Sequence, residues 1–380
     1  MVKSVVHAYP WDLIGDPEAV ARYRDLGVGA IALAASYHTV RAATPLHPSH
    51  RLVDARHAAF YLPVRPEKYG RLVPAEPSWV DGPDSFGDAA ALVRAAGLPV
   101  YAWTVLTHNS RLGDLHPDVT VVNAFGDRYP YALCTAQPDV VEYTSVLVSE
   151  VLELGAPDGI VLEAAGPLGF FHGGHHEKTD GTDWDAVQQK LLSLCFCSAC
   201  TALYADPDAL REAVRAGVDR GAPKKSHSVE EALGALADDV QAVRTGVVRS
   251  LRQRLVGEIR AAAPSVRVGM HVTADPWGTG PFATVAGGVG ADVDVLTTMC
   301  WPGPDVAVPG IEALRAAAPD TRIAAYVLGL PPKPADGAAL SKEWLAYADA
   351  GVEEFHLYHG GLASAARLEA LREAVTAVSR

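Results

Sequence analysis

The sequence predicts an α/β fold, a (β/α)8 barrel of the TIM type, on three observations. Eight short apolar or β-branched runs recur along the 380 residues, helical patterns fall between them, and no glycine-rich dinucleotide fingerprint follows the first run. The runs are SVVHAY (4–9), VGAIALA (28–34), PVYAWTV (99–105), GIVLEA (159–164), VRVGMHV (266–272), VDVLTTM (293–299), RIAAYVL (322–328) and EEFHLY (353–358). Continuous apolar runs of this length suit parallel strands buried on both faces. After the first run stands HAYPWDLIGDP in place of G-x-G-x-x-G, which removes the best-known support for an open doubly wound sheet.

The intervening segments carry helical spacing. DPEAVARYRDLG, DSFGDAAALVRAAG and PDVVEYTSVLVSEVLELG are three of them, and several of the patterns carry an acidic or hydroxyl residue at the start and Gly after the end, as helix caps require. A long helical stretch is predicted over 228–263, followed by GIEALRAAAP, SKEWLAYADAG and LASAARLEALREAVTAVS. The connections on either side of the sixth run read as short and weakly helical. Two segments exceed ordinary loop length, 36–84 after strand two and 165–227 after strand four. Both follow the C-terminal end of a strand, the face where barrels carry their chemistry. The expected organisation is therefore one barrel domain over 1–380, with 165–227 as an inserted lobe above that face.

Composition narrows the partners. Hydrophobic residues make up 49% and charged residues 20%, the balance of a folded globular chain. The formal charge of −13, with no basic stripe, argues against nucleic acid and favours a neutral or cationic small molecule. No run approaches the roughly 18 apolar residues of a membrane span. The N-terminus breaks its apolar run with acidic residues where a signal peptide would continue it, so a cytoplasmic location is expected.

If the runs are strands, their last residues converge on one mouth. In order these are His7, Tyr9, Trp11 and Asp12; Tyr37 and His38; Trp103, His108 and Asn109; Glu163; His271, Asp275 and Trp277; Trp301; Tyr326; and His356, Tyr358 and His359. Rings mixed with amides, imidazoles and carboxylates suit sugars, whose C–H faces stack on aromatics and whose hydroxyls need polar partners. The competing reading is that some rings only plug the barrel. Glu163 is the sharpest position. A carboxylate ending an apolar run must emerge at the mouth or be paired, and the expectation is a general acid or base with a raised pKa; a structural ion pair is the alternative. Asp275, in HVTADPWGTG, is the expected second catalytic carboxylate, although Asp before Pro in a Gly-rich loop is also turn chemistry. Asp12, Glu177 and Asp305 stand behind it.

The succession THNSRLG, NAFGDRYPYALCTAQPDVVEY, DGIVLEAAG and then LCFCSAC resembles the pattern of glycoside-hydrolase-like TIM-barrel proteins, including uncharacterised members with a Cys cluster after strand four. The resemblance covers about 95–205. It implies a sugar-active barrel, a glycosidase acting on a small glycoside or oligosaccharide, with Glu163 in the catalytic strand-four position. The chain departs from the large retaining clan of these barrels at strand seven, where RIAAYVLGLPPK offers no carboxylate. Either the partner of Glu163 then comes from elsewhere, or the mechanism is not the standard two-carboxylate one.

FHGGHHEK supplies His172, His175, His176 and Glu177, read as a sugar-binding loop over the mouth or as metal ligands; the spacing is not that of the helical H-E-x-x-H signature. The metal version would make the protein a metal-dependent lyase, isomerase or hydrolase. A carbohydrate-binding pseudoenzyme is the third reading. Cys195, Cys197 and Cys200 lie close enough to share one structural zinc, with Cys134 or a histidine as fourth ligand, or else pack as small buried hydrophobes. No cofactor is expected for the glycosidase chemistry.

Overall fold

The computed structural model describes residues 3–171, 178–219, 226–286, 288 and 292–379. Eight parallel strands form the barrel: β1 (Lys3–Ala8), β2 (Ala30–Tyr37), β3 (Val100–Val105), β4 (Gly159–Glu163), β5 (Arg267–Thr273), β6 (Val295–Met299), β7 (Arg322–Leu328) and β8 (Glu354–Tyr358). Each pairs with its sequence neighbours, and β1 pairs with both β2 (Val5 with Ala30) and β8 (Val5 with His356), so the sheet closes on itself. All eight predicted runs are barrel strands.

Most strand residues are buried, with exposure confined to strand ends such as Lys3 and Arg322. β2 and β4 have no exposed residue, because one side faces the barrel interior and the other the helices. The outer helices among the described residues are α1 (Ala19–Asp25), α2 (Ser85–Ala95), α3 (Pro138–Gly155), α4 (Ala237–Ala262), α5 (Pro304–Ala317), α6 (Gly337–Asp349) and α7 (Ala365–Val378). Asp84 caps α2 through its carboxylate, as the sequence suggested, and Asp336 caps α6, which starts four residues before SKEWLAYADAG.

Three expectations change. The helical stretch over 228–263 is broken at Gly234, whose φ of 56° is left-handed, into Val229–Leu233, a 3-10 turn and α4. The connection after β6 is a full helix, α5, which starts six residues before GIEALRAAAP and tolerates Pro309 inside. The connecting segments also carry structure of their own. Val40–Ala43 pairs with Leu52–Ala55, Ala59–Phe60 adds antiparallel to β2, and Thr120–Val122 pairs with Arg128–Leu133 between β3 and α3. These strands are two to six residues long, too short for an alternation pattern to be recognised in the sequence.

Beyond β4 the described part of the insertion contains helices Ala186–Leu192, Ser198–Thr201 and Pro207–Asp219. Two hydrogen bonds tie it to the segment between β3 and α3, Phe196 N donating to Val122 O at 2.6 Å and the Arg215 side chain donating from Nε to Ala124 O at 2.9 Å. Gly159, at the foot of β4, lies under the Tyr101 ring, which a Cβ there would approach to 2.7 Å. No helix among the described residues is long and apolar enough to cross a membrane.

Phe355 of β8 is fully buried and stacks on Trp344 of α6 with centroids 5.4 Å apart. Replacing Phe355 by Ala leaves a cavity between sheet and helix and should lower the unfolding free energy by about 3–5 kcal/mol, read from urea denaturation.

Candidate active site

Register places the chemistry. Val105 of β3 pairs with Glu163, and Met270 of β5 pairs with Leu162, so Trp103, Glu163 and His271 project from three adjacent strands into the barrel mouth. Trp103 Nε1 donates to Glu163 Oε2 at 2.6 Å. His271 Nδ1 lies 3.3 Å from the same oxygen, at ion-pair distance. Burial pushes the Glu163 pKa upward, but His271 first, then the charge of His38 and the Trp103 N–H, outweigh it and hold the carboxyl below its usual range. The expected raised pKa is thus reversed. The physical reason is that the same burial that desolvates Glu163 also packs the Trp103 N–H and the His271 ring against it.

The chain turns sharply just after this carboxylate. Ala164 adopts φ 56°, a left-handed conformation costly for a residue with a Cβ. Its N–H bonds Pro281 O at 2.9 Å and its carbonyl accepts from Thr107 Oγ1 at 2.6 Å, which holds the turn.

Around Glu163 the strand-end rings form a continuous wall. Tyr9 stacks on Trp11 (4.4 Å) and His359 (4.2 Å), and Tyr37 meets Trp103 edge-on at 4.6 Å. His38 stacks between Tyr37 and His108, each at 4.2 Å. Across the mouth, Tyr326 contacts His7 (5.0 Å), His271 (4.7 Å), Trp301 (5.6 Å) and Tyr358 (5.8 Å). The Tyr358–His359 peptide is cis. Burial, followed by neighbouring tyrosines and the Glu163 charge, raises the pKa of Tyr37; for Tyr326 the order after burial is the Glu163 charge and then the tyrosines. Among the described residues, His7 Nδ1, Trp11 Nε1, His271 Nε2, Trp301 Nε1 and His359 Nε2 are buried polar atoms with no hydrogen-bond partner. Such atoms normally find partners, so their concentration in one mouth is a mark of a site for a polar ligand.

Asp12 belongs to this mouth too. Its Oδ2 accepts from Tyr9 N at 2.7 Å and lies 3.8 Å from His359 Nδ1, and it packs on the backbone of Gly361, where a Cβ would come within 2.0 Å of its Cγ. Burial lifts its pKa to about 7, against the lowering effect of the Tyr9 bond.

Other predicted site residues have different partners. Asp275 accepts from Lys190 Nζ at 2.6 Å and caps Trp277 N at 2.9 Å. It lines a cavity of about 410 Å3 with Phe171, Lys190, Phe282 and Thr298; Glu163 is not in that lining, and Phe282 connects the two by stacking on His271 at 4.8 Å. Trp277 is drawn away from the ring wall, with its Nε1 bonded to Glu230 and Arg244 lying 6.0 Å from its ring centre. Asn109 caps Ser110–Leu115, accepting from Leu112 N at 3.0 Å. His172, His175, His176 and Glu177 lie outside the described residues. Phe282 and the interior pair Arg267–Glu354 were not singled out in the sequence; the first follows no strand end, and the others open strands whose apolar character dominates.

The cysteines converge. Cys134, from the segment before α3, meets Cys195, Cys197 and Cys200 with all four sulfurs within 4.8 Å of one another and buried. From Cys134 Sγ the distances are 3.8, 3.6 and 3.5 Å respectively. A donor set of four thiols at this spacing could hold a metal ion.

No family model matches the sequence, and no curated protein matches it either. Solved structures do. The catalytic domain of β-amylase from Paenibacillus polymyxa superposes with TM-score 0.59 at 14% identity, covering 100% of this chain and 98% of that one. A β-galactosidase from the psychrophilic Marinomonas ef1 gives 0.61 at 14%, covering 99% and 59%, and α-L-fucosidase isoenzyme 2 from Paenibacillus thiaminolyticus gives 0.57 at 12%, covering 100% and 49%. The chain thus spans about half to three-fifths of the last two. At these identities the likeness establishes the fold, a TIM barrel shared with glycoside hydrolases.

The Asp12 carboxyl carries a pH signature. Its folded pKa, about 7, lies above the ordinary 3.8, so the stability it contributes is complete below about 3.8 and is lost as pH rises through about 7. Asp12→Asn removes that loss. Thermal melts should show the variant gaining on wild type between about pH 4 and 7 and levelling off above, and parallel curves across that window would contradict the assignment.

Proposed function

We propose that the chain is a glycoside hydrolase acting on a small glycoside or oligosaccharide, with Glu163 as its central carboxylate. The observation that carries this reading is Glu163 itself, an anion held by Trp103 and His271 at the end of β4 inside a wall of aromatic rings and unpartnered polar atoms. Rings supply faces for the apolar side of a sugar, and the polar atoms supply partners for its hydroxyls. The names of the fold neighbours, a β-amylase, a β-galactosidase and a fucosidase, are consistent with the same substrate class.

The lowered pKa suits Glu163 to act as the ionised partner, stabilising or attacking the developing positive charge at the anomeric carbon, rather than as the general acid that a raised pKa would make it. Asp12, with its raised pKa, is the carboxyl in the mouth able to carry a proton near neutrality. Asp275, held by Lys190, serves the adjoining cavity as a binding group. The insertion over 165–227 contributes a wall to that cavity through Phe171, Lys190 and Ser193.

The four cysteines would hold a structural zinc. Tetrahedral zinc with bonds of about 2.3 Å to sulfur sets ligand sulfurs about 3.8 Å apart, and the contacts of 3.5, 3.6 and 3.8 Å approach that value. With four thiolates the coordination is closed, so the ion ties Cys134 to the insertion and takes no part in catalysis. Metal analysis should find about one zinc per chain, lost in Cys197→Ser. Chelation should lower the melting temperature.

Hydrolysis of a panel of aryl glycosides tests the activity. Glu163→Gln should lose about 10²–10⁴-fold in kcat/KM, with initial rates unaffected by brief chelation. Turnover that stops at once with chelator would move the chemistry to a metal, and tight sugar binding without turnover would make the protein a carbohydrate-binding barrel.

A further inference from the structure

The barrel interior below the mouth is charged and hydrogen-bonded rather than apolar. Arg267, at the start of β5, grips Glu354, at the start of β8, through two bonds of 2.9 and 2.7 Å. Glu354 Oε1 lies 3.0 Å from His356 Nε2, and His356 Nδ1 lies 3.1 Å from His7 Nε2. Glu354 and His7 are fully buried and His356 is 2% exposed. The chain ends at His7 Nδ1, which has no partner among the described residues. The His7 ring meets Trp103, the donor to Glu163, edge-on at 4.6 Å.

We infer that this Arg267–Glu354–His356 relay positions His7 as an obligatory hydrogen-bond acceptor in the floor of the site, where its Nδ1 lone pair accepts a hydrogen bond from a ligand hydroxyl. The polarity follows from the donor inventory. A guanidinium only donates, so the doubly gripped Glu354 carboxylate only accepts. His356 must then carry its hydrogen on Nε2, leaving Nδ1 as a lone pair; His7 must donate from Nε2, leaving its own Nδ1 bare.

The electrostatics agree. Burial raises the Glu354 pKa, but His356 and Arg267 overcome this and bring it down to about 2, so the carboxylate is ionised. Burial lowers the pKa of both histidines, which keeps them neutral: His7 is further lowered by His356, His271 and His359, whereas in His356 the opposing pull of Glu354 does not prevail. A charged His356 would reverse the relay and turn His7 Nδ1 into a donor. With Glu163 as a second acceptor nearby, the floor selects groups that donate hydrogen bonds, so a hydroxyl is accepted and an ether or deoxy position leaves His7 unpaired.

The step to a sugar hydroxyl rests on the glycosidase reading; the polarity of the relay does not. Nitrogen NMR on histidine-labelled wild type at pH 7, assigned by signal loss in His7→Asn and His356→Asn, reads each tautomer directly. His7 and His356 are expected as Nε2–H tautomers with unprotonated Nδ1. A protonated His7 Nδ1, or a doubly protonated His356, overturns the relay, and this wild-type result stands even if a variant fails to fold.

In Glu354→Gln the partner can donate as well as accept, so the fixed polarity should give way to a mixture of His7 tautomers; an unchanged His7 spectrum contradicts control by Glu354. With any aryl glycoside the wild type turns over, His7→Asn should reduce kcat/KM at least tenfold, and unchanged kinetics would overturn the ligand contact. If no glycoside is turned over while the tautomers are as stated, the glycosidase reading and the ligand contact fail and the relay survives.

Discussion

The bond between Trp103 and Glu163 is the constraint around which the mouth is organised. A carboxylate with 7% exposure at the end of an apolar strand is tolerable only if donors replace the water it has lost. Parallel register provides them, by bringing the inward side chains of β3 and β5 alongside that of β4. The indole N–H and His271 converge on one oxygen, and the Ala164 turn holds the carboxylate at the rim. Remove the register and the site disperses, since no two of these three residues share a local segment.

The same logic extends downward. Barrel interiors are commonly filled with branched apolar side chains, whereas this one holds an arginine, two carboxylates and three histidines within its strands. Each buried charge has an opposite charge or a hydrogen-bond partner. Arg267 of β5 compensates the charge of Glu354 of β8 inside the barrel, while the polarity of that carboxylate is passed on through His356 to His7. The interior therefore supplies direction as well as volume, and the buried polar groups at its upper end are those that meet a ligand.

Much of this was legible in the sequence. Eight apolar runs with intervening helical patterns define the barrel, and the residues at their ends include Glu163, Trp103, His7, Tyr37, Tyr326 and Tyr358, which do lie together. The helical break at Gly234 and the short hairpins of the long connections were not legible, because a single positive φ and strands of two to six residues leave no periodicity. Trp277 and Asn109 follow strands just as the wall residues do, but Glu230 captures one and a helix N-terminus the other. The direction in which the Glu163 pKa moves is set by tertiary contact, since burial and the groups beside the carboxylate act in opposite directions and only their distances decide between them. The cysteine spacing pointed to a shared ligand set, and tertiary contact supplied Cys134 as its fourth member.

The central claim is that Glu163 is an anion made stable by Trp103 and His271, and its own titration tests this most directly. Difference infrared spectroscopy of wild type against Glu163→Gln, followed across pH, isolates its carboxyl band. The account predicts protonation below the ordinary glutamate range, moving upward in Trp103→Phe as the indole donor is lost. Titration at or above the ordinary value in the wild type, or no movement in that variant, would contradict it.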